Sequence, residues 1–308
     1  MSSIDRRCAA AGITTVYHGI SFAAGELGVR DTRIAEQVAR AVAAFTASAL
    51  VDHRVHVRYE ITDPESEAIV ARLLDERIAG LLSFMDHTPG QGQFKDVAAY
   101  KAYFGKVYRR SDSDLDTLID RKQGESGRAF ARVQRLAALA REHRVAIAGH
   151  DDEGRDRVDF MRSIGATISE FPCDIKTARA AHGGSLATLF GAPNVVRGKS
   201  LSGALSAREA LAAGVASCLC SDYAPQAMLP AVGVLVDELG LAWPDAVRLV
   251  ASNPAKAAGL HDRGEIAVGK RADLLVVSSG HGFLAAETVW CEGRQVLGTG
   301  VSRTQGRV

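Results

Sequence analysis

Seven short runs of apolar and β-branched residues recur along this chain, and most of the segments between them carry apolar residues at helical spacing. The runs are Ile13–His18, Val55–Glu60, Gly80–Asp86, Val145–His150, Ala166–Phe171, Asn194–Arg197 and Ala216–Ser221. Most are nearly continuous in hydrophobicity, as expected of parallel strands covered on both faces. Alternation of strand and helix patterns points to β/α units around a parallel sheet.

The intervening helices have their own signals. Ile34, Val38, Ala41, Val42 and Phe45 recur at helical spacing, as do Phe130, Val133, Leu136 and Leu139. Asp63-Pro64 predicts an N-cap with proline at the first helical position. Ser206 and Glu209 have capping-box spacing, with Gly214 as the stop. The stretch from Thr88 to about Gly127 carries Pro89, Gly90 and Gly92 and predicts a long connecting loop. Loops of that length in compact domains are usually functional or mobile.

Seven units fall one short of a closed barrel, which has eight strands. Ser2–Ala10 predicts a short helix, so either the sheet is open or the first strand lies upstream of Met1. After Pro254 the texture changes. Gly264–Val277 is turn-rich and then apolar, and Thr288–Trp290 and Gln295–Leu297 flank a Glu292-Gly293 turn as in an antiparallel hairpin. The expected fold is therefore α/β, a (β/α)8 TIM-type barrel lacking its first strand over residues 1–258, with a small β-sandwich segment over 259–308.

The 308 residues carry a formal net charge of +1 and no basic arm, which gives no argument for nucleic acid or for a membrane surface, and neither is expected as a partner. No stretch approaches the roughly 20 uninterrupted apolar residues of a membrane span, and the N-terminus lacks a signal peptide's apolar core. Cys8, Cys173, Cys218, Cys220 and Cys291 are scattered without a CxxC pair and read as reduced. A cytoplasmic enzyme is expected, and a homo-oligomer is compatible with that.

Chemistry in β/α barrels sits at the C-terminal ends of strands. Here those ends carry His18, Glu60, Asp86 with His87, His150-Asp151-Asp152, Glu170, Arg197 with Lys199, and Asp222. Imidazole with carboxylate suits Zn²⁺, Mn²⁺ or Fe²⁺. Each residue also has a plainer use. Glu60 could accept backbone N–H bonds, Asp86-His87 could build a turn, Glu170 could anchor a loop and Asp222 could cap a helix. Arg197 and Lys199 suit phosphate, or form an ordinary solvated pair. His53, His56 and His143 read as structural, and Cys218 and Cys220 as core.

Several longer stretches are specific. Asp52-His53-Arg54-Val55-His56-Val57-Arg58-Tyr59-Glu60, Asp86-His87-Thr88-Pro89-Gly90-Gln91-Gly92-Gln93, His150-Asp151-Asp152, Gly191-Ala192-Pro193-Asn194-Val195-Val196-Arg197-Gly198 and Ser221-Asp222-Tyr223-Ala224-Pro225 are among them. They resemble the amidohydrolase-superfamily enzymes of the carbon–phosphorus lyase pathway, the α-D-ribose 1-methylphosphonate 5-triphosphate diphosphatases. The resemblance runs from about Ala10 to the C-terminus. It implies a hydrolase dependent on a divalent metal (Zn, Mn or Fe) that releases pyrophosphate from a small phosphorylated substrate. It places Glu60, His87, His150 and Asp222 as metal ligands, with Asp222 also accepting the proton of the attacking water. Asp151, Asp152, Glu170, Arg197 and Lys199 fall to substrate binding.

Two departures stand out. The family opens with a strand ending in a His-x-Asp or His-x-His pair, and nothing equivalent precedes Ala10. Where the family reads Arg-Gly-Gly-Ser-His-Ser-Gly-Asn, this chain has Arg197-Gly198-Lys199-Ser200-Leu201-Ser202-Gly203-Ala204. Two alternatives to the triphosphate hydrolase follow: an amidohydrolase acting on an amide, N-acyl or cyclic amide substrate, and a catalytically inactive barrel homologue.

Overall fold

The computed structural model describes residues 1–23, 31–88, 97–98, 101, 111–201, 203–280 and 283–298. Its main sheet has seven strands: β1 Thr15–Phe22, β2 Asp52–Glu60, β3 Ala79–Met85, β4 Ala146–His150, β5 Ile168–Glu170, β6 Ala187–Gly191 and β7 Cys218–Cys220. They lie in chain order, each parallel to the next. The result is a curled half-barrel alternating with helices, and among the described residues β1 and β7 do not pair. Helix α1 (Ser2–Ala10) precedes β1, as the sequence predicts.

The outer face of the sheet packs on α2 (Thr32–Ala44), α3 (Glu67–Asp75), α4 (Asp112–Glu142) and α5 (Arg155–Ser163). Phe22, Val57, Tyr59, Leu82, Phe84 and Val133 form the centre of that layer. The inner face is apolar low down, where Leu81, Ala148 and Ile168 meet Tyr17 and Leu189. Higher up it becomes polar.

Local chemistry explains where sequence expectation and structure differ. The sixth strand is Ala187–Gly191, and Asn194–Arg197 lies instead in helix α7 (Ala192–Arg197), after α6 (Ile175–Gly183). Val195-Val196 favours a strand, but Pro193 has no N–H for a ladder and suits a first helical turn. Gly198, at φ 80°, then ends the helix in the left-handed conformation. The long loop expected up to Gly127 also gives way to helix, because α4 starts at Asp112 with a Ser111–Asp114 capping box. Its Gly124 and Gly127 face open space, where a Cβ would meet nothing within 4 Å. Pro89, Gly90 and Gly92 of that connection lie outside the described residues. Asp63 caps the turn before α3, accepting from Glu65 N at 2.8 Å, while the helix itself starts after Ser66.

Helix α8 (Ala207–Ala212) carries the expected Ser206–Glu209 capping box. Helices α9 (Met228–Asp237), α10 (Trp243–Arg248) and α11 (Ser252–Ala257) lead into a second, antiparallel sheet of β8 (Leu274–Gly280), β9 (Phe283–Cys291) and β10 (Arg294–Gly298). Glu292 and Gly293 turn the hairpin with φ 53° and 75°. Arg263 ties the chain ahead of this sheet to the base of the half-barrel, donating to Asp52 Oδ2 at 2.6 Å and Thr15 Oγ1 at 2.9 Å. Asp5 of α1 accepts from Leu50 N at 2.9 Å and pairs with His53 Nε2 at 2.9 Å. His53 Nδ1 in turn meets His18 Nε2 at 2.7 Å. His53 is thus a strand-entry residue held in a structural network, and His18 is drawn into the same network on the helix side.

Candidate active site

The polar upper part of the half-barrel is built one strand end at a time. At β4 and β7, and just past β5, the chain leaves the sheet through a non-glycine residue in left-handed conformation: Asp151 at φ 52°, Asp222 at φ 48° and Phe171 at φ 54°. Such backbone is uncommon outside glycine and clusters at functional sites. Here it turns the chain sharply where side chains of different strands converge.

One atom each from His87, His150 and Asp151 lie within 4.8 Å of one another, a spacing able to hold a metal ion. His150 Nδ1 is 3.1 Å from Glu170 Oε2, and its Nε2 is 3.6 Å from Asp151 Oδ2. His87 Nδ1 lies 3.2 Å from Glu60 Oε2, while its backbone N–H also points to that carboxylate at 3.3 Å. Each histidine is therefore backed by a buried carboxylate, the arrangement that orients metal-ligating imidazoles. The donor set fits a divalent ion that accepts nitrogen and oxygen ligands.

Glu60 stands behind His87 and not among the converging atoms. It is buried, with Lys122 Nζ at 3.3 Å and Thr62 Oγ1 donating at 2.8 Å. Burial alone would raise its carboxyl pKa, but the Lys122 ammonium, with His87 and Thr62, outweighs this and holds it below the usual range. Asp152 is likewise taken up by the scaffold. Its carboxylate accepts from Ser169 Oγ at 2.9 Å and Arg157 Nε at 3.2 Å, and it is only 1% exposed.

His150, Asp151, Glu170, Arg197 and Asp222 line one cavity of about 1280 Å³ whose wall also takes in residues of β1 and β7. Burial pushes the Asp222 carboxyl up, against the opposing charges of Arg58 and Arg197. Arg197, in the last turn of α7, donates to Tyr223 Oη at 2.6 Å. Lys199 is exposed, and Leu201 and Ala204 are at the cavity wall.

Two cavity residues were not legible as site residues in the sequence. His56 Nε2 meets Ser83 Oγ at 2.8 Å and Glu170 Oε1 at 3.9 Å, well inside the barrel. Arg58 donates to His150 Nε2 at 2.6 Å. Both follow from β2, where Val55, Val57 and Tyr59 join the helix-side core. The alternate residues Asp52, Arg54, His56, Arg58 and Glu60 therefore face the barrel interior. Strict alternation in a strand flanked by continuous apolar strands was the available signal.

A profile of the amidohydrolase family matches residues 129–296, more than half of the chain. The chain belongs to the amidohydrolase family. It is an enzyme of that family, a metal-dependent hydrolase. This amidohydrolase is 32% identical over 302 residues to alpha-D-ribose 1-methylphosphonate 5-triphosphate diphosphatase of Escherichia coli, covering 96% of this chain and 80% of the relative. A D-hydantoinase crystal structure aligns at TM-score 0.50 and 14% identity, over 95% of this chain and 78% of that one, a likeness of fold. Among the described residues no helix of the amidohydrolase is long and apolar enough to cross a membrane.

Proposed function

We propose that this amidohydrolase cleaves α-D-ribose 1-methylphosphonate 5-triphosphate to the 5-phosphate and pyrophosphate, as a cytoplasmic enzyme of the carbon–phosphorus lyase pathway. The observation carrying this reading is the 32% identity to the diphosphatase across nearly the whole chain. His87, His150 and Asp151 hold the divalent ion (Zn, Mn or Fe), with Glu60 and Glu170 orienting the two imidazoles. The ion, when bound, acidifies water and shields phosphoryl oxygens. Asp222 faces the cavity with its carboxyl pKa raised by burial, which suits a carboxylate that takes up the water's proton. Arg197 steadies the departing pyrophosphate by charge-assisted hydrogen bonds.

The test is release of pyrophosphate from the ribose triphosphate by protein loaded in turn with Zn²⁺, Mn²⁺ and Fe²⁺. Release at catalytic rates supports the assignment, and none with any of the three rejects it. A second reading rests on Leu201 and Ala204, which place apolar groups on the cavity wall where the resemblance expects histidine and asparagine. Turnover of lactams or N-acyl amines in place of the triphosphate would favour that reading.

A further inference from the structure

Of the five inward residues of β2, four have partners that settle their role. Asp52 pairs with Arg54 at 2.9 Å and with Arg263, His56 meets Ser83, and Glu60 meets Lys122 and His87. Arg58 differs. Its one hydrogen bond among the described residues goes to a ring nitrogen, His150 Nε2, which accepts only when His150 carries its proton on Nδ1. Its Nε is buried without a partner, and no described carboxylate lies within ion-pair distance of the guanidinium. The strand beside it makes room for the stem: a Cβ on Gly19 of β1 would stand 3.3 Å from Arg58 Cδ. A fork of five N–H donors is thus held in the cavity with most of its capacity unspent.

His150 Nε2 has a single lone pair. It cannot serve Arg58 and a metal ion together. With Nδ1 engaged by Glu170, Nε2 would be the nitrogen to hold an ion, and the guanidinium would then be freed while staying on the cavity wall with Asp151, Arg197 and Asp222. We propose that Arg58 is the anion anchor of this site, exchanging His150 for phosphoryl oxygens of the substrate's polyphosphate. This rests on the reading of the substrate given above. It also places two guanidinium groups, Arg58 and Arg197, on the wall with Asp151 and Asp222, apart from Arg263, which Asp52 and Asp262 hold at the base. A pair of forks suits a chain of phosphates better than a single carboxylate.

The experiment is calorimetric titration of inorganic tripolyphosphate into the Mn²⁺-loaded full chain, as wild type, Arg58→Met and Arg58→Lys, with Mn²⁺ affinity and unfolding midpoint measured for each. Arg58→Met should weaken tripolyphosphate binding about tenfold or more, and Arg58→Lys should restore only part of it, because a point charge replaces a fork. Arg58→Met should bind Mn²⁺ at least as tightly as wild type, since a competitor for His150 is gone. Unchanged tripolyphosphate affinity in a folded Arg58→Met would overturn the anchor and leave the proposed reaction standing. Loss of Mn²⁺ in that variant would also overturn it, making Arg58 a scaffold for the ligands. Absence of tripolyphosphate binding by wild type would instead reject the phosphorylated-substrate reading itself.

Discussion

At Glu60 a buried carboxylate is balanced by the equally buried ammonium of Lys122, and each is only 2–3% exposed at the side chain. Removing one partner of such a pair strands the other charge. Lys122→Met is expected to cost about 3–5 kcal/mol in urea unfolding, and adding Glu60→Gln should recover most of it. A cost under about 1 kcal/mol would show that the pair balances nothing. His56 carries a pH dependence. Burial draws its imidazole from 6.5 down to about 4, so between those values the unfolded chain binds a proton that the folded chain refuses. Stability is full above pH 6.5 and falls as pH drops toward 4, by about 3 kcal/mol for this residue. His18, drawn to about 4 by burial, adds loss of the same sign. His56→Gln should shrink the drop in urea midpoint between pH 7.5 and 5 without abolishing it, and an undiminished drop would place the effect elsewhere. At this scale the ends of apolar runs single out His150 and Asp222, and both line the cavity. The sequence hid Arg58 and His56, because both lie inside β2 and not at its end, and only alternation with Val55, Val57 and Tyr59 marks them.

Elements were legible where one signal dominated and misread where two competed. The Ser206–Glu209 box and the Glu292-Gly293 turn have no rival interpretation. In Ala192–Arg197, β-branched residues suggested a strand while Pro193 and Gly198 bracketed a helix, and the brackets decided. In α2 the helical period was correct but the face was turned. Ala35, Ala39 and Val42 are buried, while Ile34 and Val38 are 41% and 37% exposed. Small residues let α2 approach the sheet closely, which a count of large apolar groups does not anticipate. Strand β4 depends on the same economy of space, since a Cβ on Gly149 would stand 2.2 Å from Asp152 Oδ2. Gly149→Ala must displace that carboxylate from Ser169 and Arg157, with an expected loss of about 1–3 kcal/mol in thermal or urea unfolding. Combined with Asp152→Ala, the loss should be smaller than the sum of the two single variants. Strict additivity would mean the two residues do not contend for one space.

Across the whole molecule, seven strands in chain order make a sheet with two ends, β1 and β7. Every second amide of β1 faces away from β2 and has no strand partner among the described residues. Amide exchange followed residue by residue should therefore alternate along Thr15–Phe22, protected then unprotected, while β3 shows no such alternation. Uniform protection along β1 would require a further partner on its free side. The count of seven agrees with the sequence's seven runs because a missed strand, Ala187–Gly191, offsets a misread one, Asn194–Arg197, whereas the cavity walled in part by the end strands emerges only when the sheet curls. The two-faced pattern of β2 bears on assembly too. A slip of one residue would turn Arg54, His56, Arg58 and Glu60 into the helix layer and send Val55, Val57 and Tyr59 into the barrel. Each stranded polar group would cost on the order of 2–7 kcal/mol. The two faces of β2 thus select one alignment against β1 and β3, and every other alignment carries a penalty.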